Sequence, residues 1–262
     1  MHQHSRAAAF ACGLLFVSLA SAQEQAWKSL FDGKTFAGWE DPGKKSPPGT
    51  SFVIEDGCLK ATSHPAFQED LFTTETFRDF ELEFDWKISP RGNSGIKYRI
   101  QDRVIIVNDP AVPKFEDRAN AAIRNRRTER PPRGQEYVVG LEYQITDNGT
   151  NPDATANGLK HATAALYDMF AASKDVTKPI GEFNHTRIVV KGDHVEHWLN
   201  GQKVLDASLK APEVAAGVEK RWGKTSPIYH MLVDQPKKSC QISLQNHDDP
   251  AWFKNIRIRR LD

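Results

Sequence analysis

The sequence predicts an all-β fold, a sandwich of two packed sheets with a long loop insertion and one short helix. Three observations carry this. Short stretches in which apolar and polar residues alternate with period two recur along the chain, roughly a dozen of them. Tight-turn pairs separate them, Asp56-Gly57, Gly192-Asp193 and Asn200-Gly201 among them. Helical periodicity is scarce, so a parallel sheet would lack the helices that must cover it. At 262 residues and 39% hydrophobic the chain can build one large β domain with a proper core.

The first residues stand apart. Ala7 to Leu19 is an apolar run after Arg6, and it ends in Ala20-Ser21-Ala22. This pattern is a secretory signal with a small-x-small cleavage site, too short for a lasting membrane span. Residues 1–22 are therefore expected to be removed, and the mature chain to begin near Gln23 and be exported to the periplasm or beyond. Cys12 lies inside the apolar run rather than after it, which weighs against a lipid-anchored cysteine. Residues 23–262 read as one domain. A formal net charge of +1 offers no electrostatic case for nucleic acid.

Trp27 to Phe31 reads as a short strand, and the stretch from Asp41 to Thr50 as a loop rich in proline, glycine and lysine. Phe52 to Glu55 and Cys58 to Ala61 flank Asp56-Gly57 as a hairpin, and Leu71 to Thr73 is a further strand. The clearest strand follows. Phe80, Leu82, Phe84, Trp86 and Ile88 alternate with Glu81, Glu83, Asp85 and Lys87, one face apolar and one charged. After a turn at Arg91 to Gly95, Ile96, Tyr98 and Ile100 alternate with Lys97, Arg99 and Gln101.

From Arg103 to Gly134 the pattern fails. Five arginines crowd Arg124 to Arg133, with a single short helix near Arg118 to Asn125. The segment has too few apolar residues for its own core, so it reads as an insertion with a solvated basic surface. Alternation resumes with Tyr137, Val139, Leu141, Tyr143 and Ile145 on one face and Gly140, Glu142 and Gln144 on the other. Asp147-Asn148-Gly149 opens a loop, and Ala164 to Phe170 reads as a strand carrying Tyr167. Arg187 to Lys191, His194 to Leu199 and Lys203 to Leu205 form successive hairpins. Pro212 to Trp222 has proline in the first turn of a short helix, and Gly223 to Ser239 reads as loop. The chain closes on two strands joined by a turn, Ile242 and Leu244 in the first, Ile256 and Ile258 in the second, with His247 between them. Cys58 and Cys240 are left after the signal, either as a disulfide permitted by export or as two buried thiols.

Several of these segments, taken in order, resemble one family. They are Leu30-Phe-Asp-Gly-Lys-Thr-Phe-Ala-Gly-Trp39, Phe77-Arg-Asp-Phe-Glu-Leu82, Asn93-Ser-Gly-Ile-Lys-Tyr-Arg99, Tyr143 with Glu142 and Gln144, Gly181-Glu-Phe-Asn-His-Thr-Arg-Ile188, His197-Trp-Leu-Asn-Gly201, and Leu244-Gln-Asn-His247 with Phe253-Lys-Asn-Ile-Arg-Ile258. Together they look like the 3-keto-disaccharide hydrolases, and the resemblance covers nearly the whole mature chain. It implies a concanavalin A-like jelly roll acting on glycosides oxidised at sugar carbon three. It implies a carbohydrate substrate, no nicotinamide cofactor, and a functional link to an oxidase that makes the 3-keto sugar. Two departures stand out: the Arg103 to Gly134 excursion, and Asn246-His247-Asp248 where the family more often has Asp-His-Gly.

A ketone at carbon three acidifies the hydrogen on carbon two, so cleavage by elimination needs a base, an acid and a cation or donor for the enolate oxygen. Glu142 and His247 have the chemistry for base and acid, in either order. Lys97 and Arg99 share a strand face and suit the enolate or the sugar hydroxyls. Asn93, Gln144, Asp147, Tyr167 and Gln245 are the hydrogen-bonding types expected around a sugar. On pattern alone Glu142, Gln144, Lys97 and Arg99 read equally well as solvated strand residues, Asn93 as a turn former and Tyr167 as core. Glu142, Asp147 and His247 are also a donor set that suits a divalent cation, with no spacing that demands one. Two rival functions fit the same fold. One is an ordinary glycoside hydrolase using Glu81, Glu83 and Asp85; the other is a carbohydrate-binding domain without catalysis.

Overall fold

The computed structural model describes residues 25–41, 49–126 and 130–262. The proposed signal, residues 1–22, lies outside the described residues. In chain order the strands are β1 (Lys28–Ser29), β2 (Trp39–Glu40), β3 (Phe52–Glu55), β4 (Cys58–Ala61), β5 (Phe67–Gln68), β6 (Leu71–Thr73) and β7 (Phe80–Ile88). After these come β8 (Asn93–Ile106), β9 (Gly134–Thr146), β10 (Asn184–Lys191), β11 (His194–Leu199), β12 (Gln202–Ser208), β13 (Ser243–Leu244) and β14 (Ala251–Arg260). One sheet runs β12-β11-β10-β7-β14-β4-β3, with β1 also on β14, and the other runs β2-β6-β13-β8-β9-β5. The pairs are antiparallel except β5 with β9.

The two sheets form the expected sandwich. The apolar face of β7, from Phe80 to Ile88, is buried with Ile96, Tyr98, Leu141, Tyr143 and Ile145 of β8 and β9. Edge-on ring contacts join the layers, Phe80 to Tyr98 and Phe84 to Tyr143, each at 6.4 Å between centres. Their hydroxyls are satisfied across the gap: Tyr143 meets the Thr186 hydroxyl and Tyr98 meets His197 Nε2, both at 2.9 Å. Burial holds the His197 imidazole down to about 4, so it is neutral and serves as a core pin.

The charged face of β7 points away from this core and is knitted to its neighbours. Glu81 pairs with Arg187 and Arg259, Glu83 with Arg257, and Asp85 with His185 and Asn255. Cys58 and Cys240 are separate buried thiols.

Several expectations need correcting. The strand at Trp27 to Phe31 shrinks to Lys28–Ser29, because Leu30 and Phe31 turn inward to the core. Ala164 to Phe170 is irregular: Leu166 makes an isolated bridge to Tyr143, and backbone hydrogen bonds tie Ala164 and Ala165 to Gln144 and Tyr167 to Glu142. The stretch from Gly223 to Ser239 contains a helical turn at Pro227–Tyr229 and a π-turn at His230–Asp234. Helices are few and short: α1 (Phe115–Asn125), α2 (Pro152–Asn157) and α3 (Pro212–Trp222) are the longer ones. Among the described residues no helix is long and apolar enough to cross a membrane.

Two findings position the site. The closing strands are not paired with each other: β13 lies between β6 and β8, while β14 lies between β7 and β4. The chain therefore crosses between the sheets at Gln245 to Pro250, carrying His247 on the crossing. Strand β8 also continues through Ile106, past where alternation stops in the sequence, because a bulge between Tyr98 and Asp102 resets its register against β9. Arg99 there adopts φ 51°, and Ile100 leaves the core.

Candidate active site

The outer face of the second sheet is not simply solvated. Helices α1 and α3 pack over it, and Phe115 and Trp222 close on Tyr137 at 5.1 and 5.5 Å between ring centres. The insertion thus builds one wall of a cavity of about 330 Å³, within the range of small-ligand sites. Its Arg130, expected on a solvated basic surface, instead pairs with buried Asp41 and Glu69. Tyr137 belongs to this wall rather than to the core face of its strand, since the bulge opposite Gly140 breaks the alternation.

Glu142, His247, Asn93, Lys97, Gln144, Tyr167 and Gln245 all line this cavity. Lys97 and Glu142 are direct cross-strand partners, as Lys97 and Ser243 are on the other side. The Lys97 ammonium is buried, 3.9 Å from Glu142 Oε2 and 4.8 Å from the Tyr137 ring centre. Burial pulls its pKa down, but the charges of Asp70 and Glu142 outweigh that and leave it raised, so it stays a cation. His247 sits exposed on the crossing segment, at the rim. Two buried carbonyl oxygens, Asn93 Oδ1 and Gln245 Oε1, have no hydrogen-bond partner among the described residues. An unpaired acceptor of this kind is costly unless a ligand donor meets it.

Arg99 and Asp147 are elsewhere. The left-handed bulge turns Arg99 away from Lys97: its guanidinium donates to the carbonyls of Lys238 and Gly192 and lies 3.5 Å from Asp79. Asp147 caps its own turn, accepting from the amides of Arg91, Gly149 and Thr150 and the hydroxyl of Thr150. Burial opposes its ionisation, but those donors prevail and hold its carboxyl below the usual range. Glu142, Asp147 and His247 are consequently not assembled as a ligand set. Among the described residues the metal-ligating side chains that do converge are His194, Glu196 and Asp206 on the other sheet, where Lys203 already pairs with both carboxylates.

Other residues of the cavity escaped the sequence reading. Asp70, at the start of β6, is buried and accepts from the Ser243 hydroxyl at 3.0 Å and the Asn246 amide at 3.3 Å. Burial pushes its carboxyl up to about 6 against the pull of Lys97. Burial likewise raises Glu136 to about 7, opposed by Arg103. Arg221 arrives from α3, its charge held by Glu116 at 3.7 Å. The one local signal was Glu69-Asp70, two carboxylates just before the apolar pair Leu71-Phe72. Arg221 had none, because its neighbours in space lie far away in sequence. Asn246, a departure from the family pattern, is a structural clasp: its amide donates to the carbonyls of Ser51 and Thr62.

Fold and cavity define a jelly-roll sandwich with a polar pocket, lined by both acidic and basic side chains, on the outer face of one sheet. The chain belongs to the 3-keto-alpha-glucoside-1,2-lyase-like domain family, whose profile matches residues 26–259. It is 31% identical over 247 residues to a 3-keto-disaccharide hydrolase of Bacteroides thetaiotaomicron, covering 89% of this chain and 78% of that one. Two crystal structures of Parabacteroides distasonis proteins, provisionally called glycosyl hydrolases, share the fold. The first superposes with TM-score 0.65 at 24% identity over 90% of this chain and 94% of that one. The second gives 0.58 at 23% identity over 90% and 100%.

Proposed function

We propose that this protein cleaves 3-keto-glycosides, 3-keto-disaccharides among them, by elimination and hydration, with Glu142 and His247 as base and acid. The observation that carries the reading is the buried Lys97 ammonium beside Glu142, in a sugar-sized cavity whose rim holds His247. Proton removal from carbon two leaves electrons that form the C1–C2 double bond as the C1–O bond breaks. The departing oxygen takes a proton from the acid, and water then adds across the double bond. Negative charge grows on the carbon-three oxygen during the first step. Lys97 is a fixed, buried cation, and burial strengthens such stabilisation. When Glu142 serves as base, its own charge is neutralised as the enolate forms, so the same ammonium passes from one anion to the next. Asn93, Gln144 and Gln245 then orient the ring hydroxyls.

Membership in the family and the B. thetaiotaomicron relative's name support this substrate class. The carboxylates of the ordinary glycoside hydrolase reading, Glu81, Glu83 and Asp85, by contrast, lie in ion pairs and hydrogen bonds on the outer face of the opposite sheet. The same proposal includes export after removal of residues 1–22, a single domain from 23 to 262, and an oxidase upstream that supplies the ketone. The decisive assay offers matched ordinary and 3-keto glycosides to the purified protein. Release of the leaving group from the 3-keto substrate alone is the expected result; equal cleavage of both would sink the elimination mechanism.

Gly95 gives a further check. It faces Gln144 across the ladder, and a Cβ there would come within 2.6 Å of Glu142 Oε1. Gly95→Ala should push the Glu142 carboxylate aside and cut kcat/KM by at least about tenfold, because small misplacements of catalytic groups are costly. The clash is with the free end of a side chain, so the melting temperature should barely move. Full activity in this variant would mean that the carboxylate position does not matter.

A further inference from the structure

A second cavity, of about 810 Å³, adjoins the first and shares Glu116, Tyr167 and Arg221 with it. These three form a braced partition. Arg221 lies 3.7 Å from Glu116, and its guanidinium carbon is 5.3 Å from the Tyr167 ring centre. The Tyr167 hydroxyl donates to Asp153 Oδ2 at 2.8 Å, and its ring packs on His161 at 4.3 Å. His161 is itself held by Asp153 at 3.0 Å, with Asp168 at 3.4 Å from its other nitrogen. Beyond the partition the lining is rich in charged and amide groups, including exposed Lys160 and Lys220. It also includes Asn120, which is 6% exposed, and whose Oδ1 has no partner among the described residues.

We propose that this second cavity is the leaving-group subsite, and that it takes a hydroxyl-bearing sugar ring in preference to an apolar aglycone. The inference rests on the reaction proposed above and adds where its second product sits. The first cavity, near the lower limit for small-ligand sites, suits one ring. A glycosidic oxygen at the shared partition places whatever it carries in the adjoining space. There the orphaned Asn120 acceptor and the flanking ammonium groups match sugar hydroxyls, which both donate and accept. An aryl or alkyl group would leave the buried Asn120 oxygen unpaired and forgo the lysine contacts, and an unpaired buried polar group is the situation in which sites discriminate most strongly.

The test compares a 3-keto disaccharide with the methyl 3-keto glycoside of the same sugar. The double variant Lys160→Ala/Lys220→Ala should lose at least about tenfold in kcat/KM on the disaccharide, chiefly through KM, and stay within about twofold on the methyl glycoside. Asn120→Ala should do the same. Because its amide also donates to the Trp222 carbonyl at 3.3 Å, its melting temperature is measured alongside, and the double variant decides if it fails to fold. Parallel losses on both substrates, or an unchanged disaccharide rate in the double variant, would place the leaving group elsewhere. If the wild-type protein turns over neither substrate, the reaction above fails, and calorimetric titration with the unoxidised disaccharide decides the subsite. Weaker binding by the double variant then supports it; equal binding, or none to the wild type, overturns it.

Discussion

Glu142→Gln should lower turnover of a 3-keto disaccharide by at least about a hundredfold, the low end of what general acid–base catalysis supplies. The amide keeps the shape of the side chain and its place across from Lys97 but can neither take nor give the proton. His247→Ala should cost a similar factor, since its ring lies at the rim of the same cavity and is exposed. Both variants should melt within about 4 °C of the wild type, because a surface-level cost near 1 kcal/mol shifts a chain of this size by little more. Lys97 keeps Asp70 as a charge partner when Glu142 is changed, so the fold loses little there. The matching control is Glu83→Gln. Its carboxylate pairs with Arg257, which is half exposed, and such pairs contribute about 1 kcal/mol at most. It should leave activity intact. Lost activity in Glu83→Gln together with a fully active Glu142→Gln would transfer the chemistry to the other sheet.

Lys97→Met should strike both activity and stability, and the two effects separate with pH. Losing the cation that meets the enolate is expected to cost about a hundredfold to a thousandfold in kcat, as for other donors aimed at developing charge. For stability the partner to follow is Asp70, whose carboxyl is raised from its ordinary 3.8 to about 6 by burial. A carboxyl with a raised native pKa favours the fold at acid pH, where it is neutral in both states. That contribution is complete below about pH 4 and lost as pH rises through 6, a change of about 3 kcal/mol. Lys97 limits the loss by lowering the Asp70 pKa. Without the ammonium the native pKa climbs further, so Asp70 stays protonated in the fold to higher pH and the loss of stability grows and extends past pH 6. Denaturant midpoints measured from pH 4 to 8 should therefore diverge, nearly equal at pH 4 and far apart at pH 8. Asp70→Asn should reduce the wild-type slope between pH 4 and 6, leaving the part that Glu136, raised to about 7, contributes. A Lys97→Met deficit of constant size across that range would remove Asp70 from the account.

The sequence by itself determined the strands whose two faces differ. Phe80 to Ile88 had to be half buried, and the turns at Asp56-Gly57 and Gly192-Asp193 had to be tight, because alternation and backbone sterics are properties of neighbouring residues. Proline at the start of Pro212–Trp222 marked α3 for the same reason. Period two also put Glu142 and Gln144 on one face, and both line the cavity. Only the tertiary structure decided which other residues join them. Lys97 and Arg99 are equivalent in a regular strand, yet a bulge set by the pairing of β8 with β9 keeps one at the cavity and sends the other to Asp79. Asp147 was lost to its own turn. Asp70, Arg221 and Asn120 come from a strand start and two helices far apart in the chain, and they reach the two adjoining cavities only after α1 and α3 cover the sheet. His247 reaches the cavity because its two flanking strands belong to different sheets. Register and layer assignment depend on partners distant in sequence, and period two along a single strand carries no record of them.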